Sequence, residues 1–336
     1  MRLPIHIIGL SLAGALALLL PGADTLPVPL GLDAYVPAPA GNLLTRERVE
    51  LGRALFFWKG LSQDRTLSCG VCHEPERAFT DGKPGAVGVR GQIGARRTQP
   101  ILNRAWGKAF FWDGRAATLE QQVLQPILNP REMDLQLAEI AGRVRGNPAL
   151  RTRMRAVFGR EPENEDIARA LASYVRTILA GDSPYDRYVA GDRSALNGEQ
   201  QLGLKVFRGV ANCVACHVGT NLTDERFHNT GAGWKEGRWA DEGRVSVSHD
   251  ETDRGAFKTP SLREVARVAP YMHDGSLKTL EEVVDFYDKG GRENPALDTE
   301  MRELKLTVQE KRALVEFLKS GLTGTVREGW RNSGLR

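Results

Sequence analysis

The sequence predicts a mainly α-helical protein in which one small helical unit is built twice. Three observations carry that prediction. All four cysteines lie in two copies of Cys-x-x-Cys-His, at residues 69–73 and 213–217. Each copy follows a similar amphipathic string, Leu51-Gly52-Arg53-Ala54-Leu55-Phe56 before the first and Leu202-Gly203-Leu204-Lys205-Val206-Phe207 before the second. Each is also followed by matching strings. Thr80-Asp81 corresponds to Thr223-Asp224 and Pro100-Ile101-Leu102 to Pro260-Ser261-Leu262. Trp112-Asp113-Gly114 through Thr118-Leu119-Glu120-Gln121 then corresponds to His273-Asp274-Gly275 through Thr279-Leu280-Glu281-Glu282. Self-similarity of this extent is read before any helix assignment, because it decides the architecture.

Composition agrees with two compact domains. The chain has 336 residues, and 41% hydrophobic content is enough for two buried cores. The 46 basic residues are spread among 42 acidic ones without a long basic block, which argues against a nucleic-acid partner.

In chain order, residues 1–23 resemble a signal peptide. Met1-Arg2 precedes an apolar run from Ile7 to Leu20, and Pro21-Gly22-Ala23 supplies small residues for cleavage. The run is shorter than the roughly 20 residues a membrane span needs, so export to the periplasm is expected, an uncleaved anchor being the alternative. Residues 24–42 form a Pro-rich arm, residues 43–190 the first domain, residues 191–325 the second, and residues 326–336 a C-terminal tail. Thr118 with Gln121, Thr279 with Glu282, and Thr307 with Glu310 predict capping boxes that start helices. Ile167, Leu171, Val175 and Ile178 predict an amphipathic helix closing the first domain, and Val308, Leu314, Phe317 and Leu318 one closing the second. Residues 181–198 read as a linker with a short helix.

Cys-x-x-Cys-His suits covalent haem attachment, since two thiols add across the porphyrin vinyl groups and the adjacent imidazole binds iron. A zinc site or two redox disulfides are the alternatives. Zinc pairs usually lie closer in sequence than Cys72 and Cys213, and neither alternative needs a histidine after both pairs. The expected fold is therefore mainly α, two cytochrome c-like domains related by internal duplication. Cys69, Cys72, Cys213 and Cys216 would hold two covalently bound haem c groups, with His73 and His217 on iron.

The two haems are not equivalent. Registering the capped helices without a gap places Pro126 opposite Tyr287, and only the tyrosine can bind iron. No histidine lies between His73 and His217. Met133 and Met154 are the remaining candidates for a sixth ligand on the first haem, which otherwise stays open and reactive toward peroxide. O–O cleavage needs a proton carried from one oxygen to the other. Gln122, one turn before Pro126, and Glu132, just after it, are the candidates for that pocket. On the second haem, Tyr287 competes with Met272 and Met301. A phenolate stabilises higher oxidation states, whereas a thioether raises the potential. Trp112, beside the helix of the first haem, is a candidate electron relay or simply a core aromatic.

Three longer strings resemble the bacterial di-haem cytochrome c peroxidases, and within them the MauG-like branch: residues 111–116, 183–188 and 269–275. The resemblance runs from about Leu43 to Thr323. It implies Trp112 between the haems and Gln122, Pro126 and Glu132 on the open side of the first. Ordinary peroxidases of this family cap the first haem with a loop histidine, and that position is Val89 here, so no such switch is expected. The methionine those members place on the second haem corresponds to Tyr287, as in the MauG-like branch. The resemblance also implies calcium between the domains, on the backbone carbonyls of Val268 and Pro270; the usual Asn ligand is Thr98. The tryptophan with which MauG draws electrons from its partner corresponds to Ala211, with Trp234 and Trp239 as replacements or ordinary loop aromatics.

The expected function is peroxide reduction at the first haem, with electrons relayed through the second from a small cytochrome c or cupredoxin. The alternatives are oxidation of aromatic residues in a partner protein and a non-enzymatic electron carrier.

Overall fold

The computed structural model describes residues 26–332, so the expected signal peptide lies outside the described residues. No helix among the described residues is long and apolar enough to cross a membrane. The chain is mainly helical, with short strands and many turns.

Each haem motif is preceded by a leading helix, Arg46–Phe56 in the first half and Gly198–Arg208 in the second. Thr45 Oγ1 accepts from Arg48 N at the start of the first, and Asn197 with Gln200 makes a full capping box at the second. Each leading helix packs on a closing helix, Asn164–Arg176 and Val308–Glu316 respectively. The two crossings are built alike. A Cβ on Gly52 would stand 1.9 Å from the Ala170 carbonyl oxygen, and one on Gly203 would stand 2.0 Å from that of Ala313. Only glycine allows the backbones this close. Leu51, Leu55, Ile167 and Leu171 are fully buried around the first crossing, where each such side chain contributes about 1.5–3 kcal/mol of burial free energy.

The matching strings after the motifs also adopt matching structure. Phe110 bridges Ala116 and Tyr271 bridges Leu277, each an isolated antiparallel pair that closes a tight turn. Thr118 and Thr279 then cap their helices by accepting from Gln121 N and Glu282 N. The return bonds differ from the expected boxes: Gln121 and Glu282 accept from Ala117 N and Lys278 N, one residue before the cap. Thr307 and Glu310 make the complete box. The second capped helix runs unbroken over Leu280–Asp288, whereas the first stops after Leu119–Gln122 and restarts as Gln125–Leu128. Pro126 has no N–H to continue the ladder, so it sits in the first turn of the new segment.

Two expectations about the closing helices need correction. Ile178 is not helical, because Ile178–Gly181 is a strand paired antiparallel with Thr325–Glu328, which pairs in turn with Arg331–Asn332. Val308 is 86% exposed, since it occupies the first helical turn, outside the buried stripe of Leu314, Phe317 and Leu318. The strand at Thr325–Glu328 also enters the segment expected as a tail. Val326 is fully buried, and Glu328 accepts from the Tyr174 hydroxyl and from Arg53 Nε at 3.2 Å.

The arm and linker are tied down as well. Leu30 O accepts from Asp182 N at 2.8 Å, and Asn42 Nδ2 donates to Glu120 at 2.7 Å and to Arg169 O at 3.0 Å. The linker helix Pro184–Val189 is capped by Ser183 and Asp186. Arg263 from the second half grips Asp186 with two bonds of 2.8 and 2.9 Å. Planar, charge-assisted pairing of this kind fixes orientation as well as distance.

Candidate functional site

Two cavities lie beside the two motifs, of about 1280 and 1590 Å³. Cys69, Cys72 and His73 line the first, and Cys213, Cys216 and His217 the second. His73 Nδ1 lies 2.9 Å from Phe79 O, and His217 Nδ1 lies 3.0 Å from Leu222 O. A carbonyl only accepts, so Nδ1 carries the proton in both rings and Nε2 is left with a free lone pair. Burial lowers the pKa of both, His217 to about 4, which keeps the imidazoles neutral. Paired thiols, a neutral imidazole with Nε2 free and a roomy apolar wall fit a haem in each cavity.

The walls opposite the histidines differ. Gln122, Pro126, Glu132 and Met133 line the first cavity. Met154 does not reach it and is fully buried in the core. Burial raises the Glu132 carboxyl, against a 2.7 Å bond from Asn129 Nδ2 and the charge of Arg115. Tyr287, Met272 and Met301 line the second cavity. Burial pushes the Tyr287 phenol up, and the nearby Cys216 and Cys213 sulfurs push it further. Tyr287 thus shares the second cavity with Cys213 and Cys216.

Trp112 lines both cavities and is 7% exposed. Its indole N–H donates to Arg97 O at 3.2 Å, and its own carbonyl accepts from Lys258 N at 2.8 Å. Asp113 beside it accepts from Arg96 and Arg115.

Sequence reasoning missed the buried cations around this tryptophan. Arg97 lines both cavities, Arg104 the first and Lys258 the second. Arg104 makes two bonds to Glu225, of 2.7 and 2.9 Å, and Lys258 Nζ stands 3.5 Å from the same carboxylate. Burial lowers Lys258 to about 7, with the Arg104 charge adding to it and Glu225 opposing, and burial lowers Arg97 to about 10 against Asp81. Arg104 lies 121 residues from Glu225 and Arg97 lies 171 from Val268, so no local spacing marks these pairs.

His228 was missed too. Its ring lies between Asp298, at 2.6 Å, and Asp224, at 2.9 Å, on the wall of the second cavity. The Cys216 sulfur and these carboxylates push it up to about 10.

Comparison with known proteins places the chain. Residues 46–194 match the family described as di-haem cytochrome c peroxidase. The chain is 42% identical over 287 residues to the methylamine utilization protein MauG of Methylorubrum extorquens, covering 85% of this chain and 81% of that protein. The chain belongs to the di-haem cytochrome c peroxidase family. It is also 34% identical to the cytochrome-c peroxidase IdrP1 of Pseudomonas sp. (strain SCT), covering 92% of this chain and 89% of that one. A solved MauG-like protein associated with microbial copper homeostasis superposes with a TM-score of 0.80 at 34% identity, covering 87% of this chain and 94% of that one. Like its relatives, this di-haem peroxidase-family chain is a haem oxidoreductase.

Three positions singled out by the resemblance can be placed in the structure. Val89 is buried, and its N–H donates to Glu132 O at 2.8 Å, so its loop is pinned to the wall of the first cavity. Ala211 lines the second cavity, while Trp234 and Trp239 pair across a hairpin with ring centroids 4.7 Å apart. Two of the positions expected near calcium already have protein partners. The Val268 carbonyl already accepts from the Arg97 guanidinium, and the Thr98 hydroxyl donates to Asp81 at 3.0 Å. Calcium takes six to eight oxygens, and here a resident cation occupies one of the two expected carbonyls.

Proposed function

We propose that the chain is a periplasmic di-haem peroxidase that reduces hydrogen peroxide in its first cavity and draws the electrons through its second, from a small cytochrome c or cupredoxin. The observation that carries this reading is Trp112, held at both its indole N–H and its carbonyl while lining both cavities. The matched helix crossings and turn bridges support two cytochrome c-like domains that arose by duplication. The cysteine pairs support covalent attachment of both haems.

A bound haem iron supplies the site where peroxide is reduced. The protein supplies the proton path and the electron path. In the first cavity Gln122 and Glu132 face the space left by Pro126. Glu132, with its raised pKa, accepts a proton from one peroxide oxygen and returns it to the other, and Gln122 orients the molecule. The net reaction consumes one peroxide, two protons and two electrons and yields two waters. Trp112 carries the electrons between cavities, rigidly enough to need no rearrangement on each transfer.

A second reading is favoured by Tyr287. A hard phenolate donor on the second iron stabilises oxidised states over reduced ones, which suits MauG-like oxidation of aromatic residues in a partner protein. Titrating the holoprotein with hydrogen peroxide, with and without a reduced small cytochrome, separates the two. Rapid oxidation of the cytochrome is the expected result. A long-lived oxidised protein that ignores the cytochrome selects the second reading, and failure to consume peroxide with two haems bound overturns both.

A further inference from the structure

Glu132 lies on a turn, residues 129–134, where neither helix nor strand fixes its direction. Both ends of its backbone are nevertheless bonded: its N–H donates to Asn129 O at 2.9 Å, and its carbonyl accepts from Val89 N at 2.8 Å. Asn129 does more. Its backbone oxygen also accepts from Asp134 N at 3.0 Å, and its side-chain Oδ1 accepts from Arg131 N at 3.0 Å, so the turn is wound around this residue. The turn has no room to shift toward the neighbouring loop, because a Cβ on Gly88 would stand 2.0 Å from Arg131 O. Asn129 Nδ2 then donates to Glu132 Oε1 at 2.7 Å. No donor among the described residues is bonded to Glu132 Oε2, which leaves that oxygen free to bond within the cavity that Glu132 lines. The two oxygens of one carboxylate are thus unlike. The charged groups around them are already placed. Arg115, which lines the same cavity and acts on Glu132, is bonded to Asp113 and Gln125, Arg90 pairs with Asp134, and Arg131 is exposed. Cys69 and Cys72, which feel the Glu132 charge, carry none themselves once joined in thioethers.

We propose that Asn129 is a positioning residue for Glu132: its amide occupies Oε1, so that Oε2 is the oxygen that takes the proton from peroxide and gives it back. This rests on the peroxide reaction proposed above and names the atom through which the proton moves. An amide N–H only donates, so Oε1 has nothing on Asn129 Nδ2 to which it could pass a hydrogen, and in the acid form it stays the carbonyl oxygen. Oε2 bonds the proton released by one peroxide oxygen and releases the same proton to the other, and both Glu132 and Asn129 end as they began. The choice of oxygen is made before peroxide arrives, because the turn that holds Asn129 is built from backbone bonds.

Two variants of the holoprotein test this. Asn129→Asp keeps the oxygen that accepts from Arg131 N but sets a second carboxylate against Oε1. Two carboxylates that close hold one proton between them. The midpoint of the pH–rate curve for peroxide consumption should therefore move up, and below it the rate should fall by about tenfold or more, the loss that accompanies a shift of one pH unit. An unchanged curve in Asn129→Asp, with Glu132→Gln impaired, overturns the proposal and leaves the role of Glu132 standing; a Glu132→Gln protein as active as the unmodified one overturns that role itself. The second readout needs no turnover. In the pH-difference infrared spectrum, the carbonyl band that Glu132→Gln removes should lie at lower wavenumber in the unmodified protein than in Asn129→Ser, which keeps an oxygen for the turn but has no amide to reach Oε1. Equal positions overturn the proposal. Should neither Asn129 variant fold, the unmodified protein decides: a lowered band is expected, and a band at the position of a carboxylic acid without hydrogen bonds overturns the proposal.

Discussion

Pro126 and Tyr287 stand at the same offset from the capping residues Thr118 and Thr279, and they line the first and second cavities respectively. If the Tyr287 phenol is the sixth ligand of the second haem, Tyr287→Phe will change the low-spin signals of that haem and leave those of the first in place. Electron paramagnetic resonance of the ferric protein reads both at once, and an unaltered spectrum assigns the position to Met272 or Met301, which line the same cavity. Glu132 makes a different prediction. Its base form takes up the proton, and burial raises its pKa above the ordinary carboxylate range. Peroxide consumption should therefore rise with pH through that raised pKa. Glu132→Gln should lower the rate by roughly 10²–10⁴-fold and flatten the rise, as stopped-flow measurement across the acid range will show. Gln122, Pro126, Glu132 and Tyr287 were legible in the sequence because their spacing from a capped helix start is local. Arg97, Lys258 and Glu225 were not, because what distinguishes them is burial beside partners from distant strings.

The helix crossings make a prediction at the scale of elements. Gly52 and Gly203 sit where a methyl group would meet a backbone oxygen that cannot move alone. Gly52→Ala and Gly203→Ala should each destabilise the protein by about 1–3 kcal/mol, the range for overpacked cores. Calorimetry of the two variants measures it, and a loss no larger than that of an exposed Gly→Ala control would mean the helices separate freely. Helix starts were readable from the sequence, since Thr118, Thr279 and Thr307 announce them by chemistry. Helix ends were not. Ile178 continues the apolar period of Ile167, Leu171 and Val175, and only its pairing with Glu328 makes it a strand.

Across the whole molecule, charge at the junction is supplied by the chain itself. With Arg97 on the Val268 carbonyl and Thr98 bound to Asp81, a calcium chelator should leave the absorption spectrum and the melting temperature unchanged, and elemental analysis should find no stoichiometric calcium. A chelator-induced drop in melting temperature, reversed by added calcium, would show that the guanidinium yields its place. The paired leading helices and turn bridges were legible from repeated strings, because repetition survives in sequence even where contacts do not. The ties between the halves were not legible, since Arg263 with Asp186 and Glu328 with Arg53 join residues that share no motif.

The pairing of Ile178–Gly181 with Thr325–Glu328 has a consequence for how the chain is made. Pairing between segments nearly half the chain apart is slow to form, because a long loop must close first. Until Thr325–Glu328 has been synthesised, Tyr174 and Arg53 lack Glu328, and the first half has an unfinished edge. The strand Thr325–Glu328 acts as a latch, completing the first half only once the second half has been made.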